Sequence, residues 1–142
     1  MTTSTPRSSA PVHLNRRDLQ VLLVDDDTFQ LDLMSEILRE LGIHNIKTAP
    51  GGAQALQAMA SPQAGFNLLV IDLHMPGMDG FQFMEAVAKH GYTGALIIVS
   101  GQSADVMRAA ALVAQLRRFT LLGSVHKPVG RTALSALLDQ LA

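Results

Sequence analysis

The sequence predicts an α/β protein built on a five-stranded parallel sheet, doubly wound with helices on both faces. Three observations lead there. Short apolar runs alternate with amphipathic stretches five times along the 142 residues, the pattern of repeated strand–helix units. Several runs are continuously apolar, which suits strands buried on both faces. Polar residues gather where those runs end.

Residues 1–17 are rich in Ser, Thr, Pro and Arg, lack an apolar period and read as a disordered leader. Residues 18–142 read as one domain. Residues 19–24 form the first strand, closed by Asp25, Asp26 and Asp27. Asp27 or Thr28 caps the next helix, whose apolar stripes are Phe29, Leu33, Ile37 and Met34, Leu38, Leu41. Gly42 stops it. Residues 43–49 give a short strand, Pro50-Gly51-Gly52 a turn, and residues 53–60 a short helix ending near Pro62. Residues 66–71 form a buried strand ending in Asp72. A Pro/Gly loop over 75–80 leads into a helix over 81–90. Residues 95–99 form the fourth strand, ending in Ser100, and residues 104–118 the fourth helix. Residues 120–126 form the fifth strand, ending in Lys127-Pro128, and residues 132–141 the last helix.

Composition narrows the function. The net charge of −1 gives no reason to expect direct binding to nucleic acid or to an anionic membrane. The absence of cysteine excludes disulfides, thiolate catalysis and cysteine-based zinc sites. No apolar run reaches the roughly 18–20 residues of a spanning helix. Arg16-Arg17 precedes an apolar stretch, but that stretch is too short for an export signal and ends in three aspartates, so a cytoplasmic protein is expected.

In open parallel sheets, chemistry sits at the carboxyl ends of the strands, near the point where strand order reverses. Asp25 and Asp26, Asp72, Ser100 and Lys127 fall at four such ends. Singly, each has a plain structural use: an Asp caps a helix, a Ser-Gly makes a turn, a Lys is solvated. Together they form a chemical set. Clustered carboxylates repel unless a cation compensates. An oxygen-only ligand set favours Mg²⁺ over Zn²⁺. Lys127 adds a point charge and Ser100 a hydroxyl donor. A carboxylate nucleophile with these neighbours suits phosphoryl transfer, where positioning and charge neutralisation dominate.

At these residues the chain resembles the response-regulator receiver domains of two-component signalling. Val21-Leu22-Leu23-Val24-Asp25-Asp26-Asp27 resembles their first strand and acidic pair. The stretch from Leu69 through Asp72 to Pro76-Gly77-Met78-Asp79-Gly80 resembles their phosphorylation strand and loop. Ile97-Ile98-Val99-Ser100-Gly101 and Lys127-Pro128 resemble their switch-hydroxyl strand and lysine. The resemblance covers residues 19–142 and implies a flavodoxin-like (βα)5 fold with strand order 2-1-3-4-5. It implies Asp72 as phosphoacceptor, with a sensor histidine kinase or phosphotransfer protein as donor. Asp26, Asp72 and the backbone carbonyl of His74 would ligate Mg²⁺, with Asp25 acting through water. Ser100 and Lys127 would contact the phosphoryl group, and His74 and Gln102 would tune its lifetime. The Lys127–Pro128 bond is often cis in this family. The chain itself would be a switch, with no catalysis beyond its own phosphorylation and dephosphorylation.

Three features depart from the family pattern. Ser124 stands where an aromatic switch residue is usual, three before the lysine. His74 is an unusual lifetime-tuning residue. The segment from Ser100 to Lys127 is long. That last feature, with Leu121-Leu122-Gly123-Ser124-Val125-His126-Lys127-Pro128, resembles receivers attached to EAL-type cyclic di-GMP phosphodiesterases, which makes the chain either a regulatory domain or a single-domain regulator. The fourth helix carries Val106, Met107, Ala109, Ala110, Leu112, Val113 and Leu116 over more than one face. The surplus points to a homodimer or output surface on the fourth helix, fifth strand and fifth helix.

Three other readings share part of the pattern. A haloacid-dehalogenase-type phosphatase needs a hydroxyl residue where Phe29 stands. A flavodoxin-type electron carrier needs a phosphate loop where Asp25-Asp26-Asp27 would repel phosphate. A receiver that binds partners without phosphorylation is left open by Ser124, while the full acidic set with Ser100 and Lys127 argues against it.

Overall fold

The computed structural model describes residues 15–61, 64–75, 77–101 and 104–141. Its elements alternate as β1 (Gln20–Val24), α1 (Thr28–Glu40), β2 (Asn45–Ala49), α2 (Gly52–Ala60), β3 (Leu68–Asp72), α3 (Gly80–Lys89), β4 (Ala95–Ser100), α4 (Ala104–Leu116), β5 (Thr120–His126) and α5 (Arg131–Leu138). The strands are parallel and ordered β2-β1-β3-β4-β5, as expected. Order reverses around β1 and β3, so the ends carrying Asp25 and Asp72 lie side by side.

Side-chain alternation divides the core in two. Val21, Leu23, Val70, Ile97 and Val99 pack with Leu31, Met34 and Leu38 of α1 and Leu134 and Leu138 of α5. Leu22, Val24, Leu69, Ile71 and Ile98 pack with Phe83, Met84 and Val87 of α3 and Ala110 and Ala114 of α4. The central strands β3 and β4 are buried along their whole length, which explains their continuous apolar sequence. No described helix is long and apolar enough to cross a membrane.

Several expectations are corrected. Phe29 is 68% exposed: it lies two residues before the buried Leu31, about 200° round the helix. Ile37 is buried and Leu33 only partly so. β2 starts at Asn45, because Ile43 closes the end of α1. Arg16 and Arg17, read as the end of the leader, belong to a short 3₁₀ turn, Arg16–Asp18. The Arg16 guanidinium donates to Leu41 O at 3.2 Å and to Asp139 Oδ1 at 2.7 Å, tying the chain start to α1 and the residues after α5. The last helix ends at Leu138 and continues as a 3₁₀ turn, Asp139–Leu141. Residues 1–14, most of the expected leader, and Pro62 lie outside the described residues.

Three helices end in one motif, with a left-handed residue after the last turn and two backbone bonds closing over it. At α1 this residue is Gly42, with Ile43 N donating to Leu38 O and Gly42 N to Arg39 O. At α3 it is Gly91. At α4 it is Arg118, φ 66°, with Phe119 N donating to Ala114 O and Arg118 N to Gln115 O. This left-handed turn ends α4 at Leu116 rather than at 118. A side chain in this conformation costs roughly 1 kcal/mol, partly offset by the extra freedom glycine has in the unfolded chain. Arg118→Gly is therefore expected to raise stability by up to about 0.5 kcal/mol in urea unfolding. A loss of stability would show that the arginine side chain holds α4 in place.

Tyr92 fastens the start of β4. Its hydroxyl donates to Ala95 O at 2.7 Å, and its ring lies 6.0 Å from that of Phe119. Burial pushes the phenol pKa up. The folded pKa thus lies above the unfolded one, so this contribution is intact below pH 10 and is lost as pH rises toward the folded value. Tyr92→Phe should cost about 1 kcal/mol at pH 7. The gap between the proteins should close above pH 10, as read by urea unfolding at both pH values.

Candidate functional site

The site grows from the strand ends. Asp25 follows β1 and is held there by its own N–H, which donates to Ala49 O at 3.2 Å. Its Oδ1 accepts from Asp27 N at 2.9 Å. Asp27 caps α1, accepting from Phe29 N at 2.9 Å, so the third aspartate anchors the loop while the first two face the site. Between the capping alternatives left open by sequence, the structure selects Asp27 over Thr28.

Asp72 ends β3 and is 3% exposed. Its Oδ1 accepts from His74 N at 3.2 Å. The following loop returns to the strand through Gly80 N, which donates to Leu73 O at 3.0 Å. A capping box between Asp79 and Gln82 starts α3. Ser100 ends β4, fully buried, one residue beyond the partner of Asp72 in the strand register. Its carbonyl accepts from Lys127 N at 3.1 Å, and the Lys127–Pro128 peptide is cis. The adjoining ladder thereby brings the Lys127 side chain over the acidic pair.

Lys127 Nζ lies 2.9 Å from Asp25 Oδ2 and 3.1 Å from Asp72 Oδ2. Carboxylate oxygens of Asp25, Asp26 and Asp72 lie within 4.8 Å of one another. Burial pushes the Asp72 pKa up, and the Asp25 charge adds to this, while the His74 N–H and Lys127 act in the opposite direction. Burial acts to lower the Lys127 pKa, but the two paired carboxylates outweigh it and the net shift is upward.

One ammonium group faces three carboxylates. Asp25 Oδ2 is buried and accepts no well-directed hydrogen bond, so among the described residues its compensation is the contact with Lys127. A hard divalent cation fits this donor set: three clustered oxygen ligands, a charge deficit and a buried acceptor short of donors. Four of the sequence-predicted residues, Asp25, Asp26, Asp72 and Lys127, thus meet in one place, with Ser100 at the neighbouring strand end. His74 is exposed and turns its N–H toward Asp72. Gln102 lies outside the described residues. Ser124 is exposed on β5 and lines a groove of about 250 Å³ with Met107, Ala111 and His126. Sequence reasoning missed Gly80, whose missing side chain admits the backbone of Leu73. The Gly-Met-Asp-Gly punctuation was the available signal.

The family model for the response regulator receiver domain matches residues 21–139. The chain belongs to this family. Receiver domains are the signalling switches of two-component phosphorelays, and no catalytic domain is indicated in the matched residues. The receiver is 36% identical over 134 residues to ethylene receptor 4 of Oryza sativa subsp. indica, covering 89% of this chain and 17% of that protein. It is 37% identical over 98 residues to a probable chemotaxis protein CheY of Rhizobium etli, covering 66% of this chain and 74% of that one. The CheX–CheY–BeF3–Mg complex from Borrelia burgdorferi shares its fold, with a TM-score of 0.73 at 20% identity over 87% of this chain and 90% of that one.

Proposed function

We propose that this receiver accepts a phosphoryl group on Asp72 from a phosphohistidine of a sensor kinase or phosphotransfer protein. The observation that carries the reading is the buried Asp72 carboxylate, bridged by Lys127 to Asp25 and flanked by a third acid. An Asp72 oxygen attacks phosphorus as the P–N bond of the donor breaks. Its electron pair leaves on the imidazole nitrogen, and an acyl phosphate forms. Both Asp72 oxygens already accept hydrogen bonds, from His74 N and Lys127 Nζ. Lys127 therefore shifts from Oδ2 to the incoming phosphoryl oxygens, and Oδ2 becomes the nucleophile. The His74 N–H holds the other oxygen and fixes the plane of attack. Ser100 donates to the phosphoryl group from the end of β4.

Asp25, Asp26 and Asp72, with the His74 carbonyl, are the residues that would hold Mg²⁺. When bound, the ion neutralises charge on the phosphoryl oxygens. The Borrelia complex, which contains BeF3 and Mg, supports this through its shared fold. The added charge, roughly −1.5 to −2, biases the α4-β5-α5 face toward an active state. With Ser124 in place of an aromatic, the bias passes through Ser100 and the β4–β5 ladder. The setting is cytoplasmic. Attachment to a cyclic di-GMP phosphodiesterase rests on the 100–128 sequence pattern.

Intact mass after incubation with acetyl phosphate tests this. A single phosphoryl adduct is expected with Mg²⁺ and none with excess chelator. No adduct under either condition, and no spectroscopic response to beryllofluoride with Mg²⁺, would leave a partner-binding receiver that is not phosphorylated.

A further inference from the structure

The sheet has two edge strands, β2 and β5, and the fold treats them differently. β5 carries a bulge: Leu96 pairs with Leu121 and Ile97 with Gly123, which leaves Leu122 outside the ladder. The Leu122 carbonyl accepts from Gln140 Nε2 at 2.6 Å. A bulge with its carbonyl capped stops a further strand from adding. β2 has no such device. It pairs with β1 in unbroken register from Asn45 to Ala49. In a parallel ladder every second residue turns its N–H and C=O to the neighbouring strand. Asp25 N donates to Ala49 O, so Asn45, Lys47 and Ala49 turn their main chain to β1. Ile46 and Thr48 turn theirs outward, along the free edge.

This edge borders a groove of about 640 Å³ beneath α2. Gln20, Asn45 and Lys47 line it from the sheet, and Gln54 and Gln57 line it from α2, with the half-buried Phe66 beside them. By alternation, Gln20 and Asn45 share the sheet face of Leu22, Val24 and Ala49, which is the face α2 covers. A helix ordinarily meets a sheet through apolar side chains. Here α2 buries only Gly52 and Ala55, and past them carboxamides face one another across open space. Asn45 Nδ2 donates to Arg17 O at 3.3 Å. Gln20, Gln54, Gln57 and Lys47 make no side-chain hydrogen bond or ion pair among the described residues. A carboxamide offers both a donor and an acceptor, which is what a peptide main chain requires.

Lys47 is the one charged side chain among the residues lining the groove. A lysine on an edge strand guards against pairing with an identical edge, because like charges then meet. It attracts an incoming strand that carries a carboxylate at the same place. The charge thus selects an acidic strand over a second copy of this chain. We infer that the outer edge of β2 and the groove beneath α2 form a docking site for an extended acidic peptide segment of a partner protein. The segment adds to the sheet as a sixth strand. Its main chain bonds to Ile46 and Thr48, a carboxylate meets Lys47, and the side chains on the α2 side enter the groove. Gln20 and Asn45 begin their strands, whereas Asp25 and Asp72 lie at the opposite strand ends, so docking does not depend on phosphorylation.

A ¹⁵N NMR titration of the full chain tests the inference. The probe is an acetylated, amidated pentapeptide alternating valine and glutamate, at up to about 1 mM and low salt. Amide shifts are expected along β2 and α2, with the Ile46 and Thr48 amides gaining protection from exchange. The same peptide with lysine in place of glutamate should bind at least about tenfold more weakly, and Lys47→Glu should reverse that preference. Thr48→Pro should abolish binding: its N–H faces away from β1, so proline there leaves the β1 ladder intact, and circular dichroism verifies the fold. N-methylation of the peptide amides facing one edge should abolish binding to the unaltered protein, while methylation facing the other edge leaves it. No shift at the highest concentration, or shifts outside β2 and α2, overturns the inference. Binding that survives both Thr48→Pro and N-methylation of either edge overturns strand addition, and equal binding of the lysine peptide overturns the acidic partner.

Discussion

Lys127→Ala is expected to be the most damaging single change at the site, and Mg²⁺ should suppress most of the damage. Lys127 Nζ is within 3.1 Å of both Asp25 and Asp72, whose side chains are 0% and 4% exposed. Without it two buried carboxylates face each other and Asp26 with no cation. Removing one partner from a buried pair costs about 3–5 kcal/mol. Lys127 is 23% exposed, so water offsets part of this, and about 2–3 kcal/mol is expected in urea unfolding with chelator present. A cation between the acids supplies the missing compensation, so the loss should shrink in millimolar Mg²⁺. It should also shrink at low pH, where the carboxylates are neutral. Equal losses with and without Mg²⁺ would mean that the lysine and the metal do not share these acids. Phosphorylation by acetyl phosphate should slow in either case, since no other ammonium reaches Asp72 among the described residues.

Gly80→Ala is expected to destabilise the protein by about 1–3 kcal/mol and to slow phosphorylation, although alanine is the better helix former. A Cβ at residue 80 would lie 2.7 Å from Leu73 Cα and 3.0 Å from Asp72 O. Both are backbone atoms and cannot rotate away. The loop must therefore move, and with it His74, whose N–H orients Asp72. Gly77→Ala is the control: its φ is +83°, but nothing lies within 4 Å of the added carbon. It should cost stability through backbone strain while leaving the phosphorylation rate almost unchanged. Equal rate effects in the two variants would show that the contact of residue 80 with the strand end does not position Asp72.

The fold was legible because burial on both faces of a parallel sheet forces unbroken apolar runs. Residues 68–71 and 95–99 could be read as central strands on that ground alone. The site was legible because strand ends in such a sheet converge, so Asp25, Asp26, Asp72 and Lys127 needed only to be located in their elements. What escaped the sequence depends on rotation and long-range contact. Phe29 looked like part of a buried stripe because two overlapping periods fit α1, and only packing against the sheet chose the one through Leu31, Met34 and Leu38. Arg16 looked like a leader residue because its partners, Leu41 and Asp139, are far away in sequence. The bulge where Ile97 pairs with Gly123 rather than Leu122 lies inside an apolar run that gives no sign of it. Arg118 also left no trace, since a left-handed turn is usually announced by glycine.

The central claim is that Asp72 carries the phosphoryl group, and borohydride reduction of the phosphorylated protein followed by peptide mass mapping tests it most directly. Borohydride reduces an acyl phosphate, a mixed anhydride, to the alcohol and leaves free carboxylates untouched. The expected product is homoserine at position 72 alone, formed only after acetyl phosphate and Mg²⁺, and absent from Asp72→Asn. Reduction at another aspartate, or a phosphoryl adduct that survives in Asp72→Asn, would contradict the assignment.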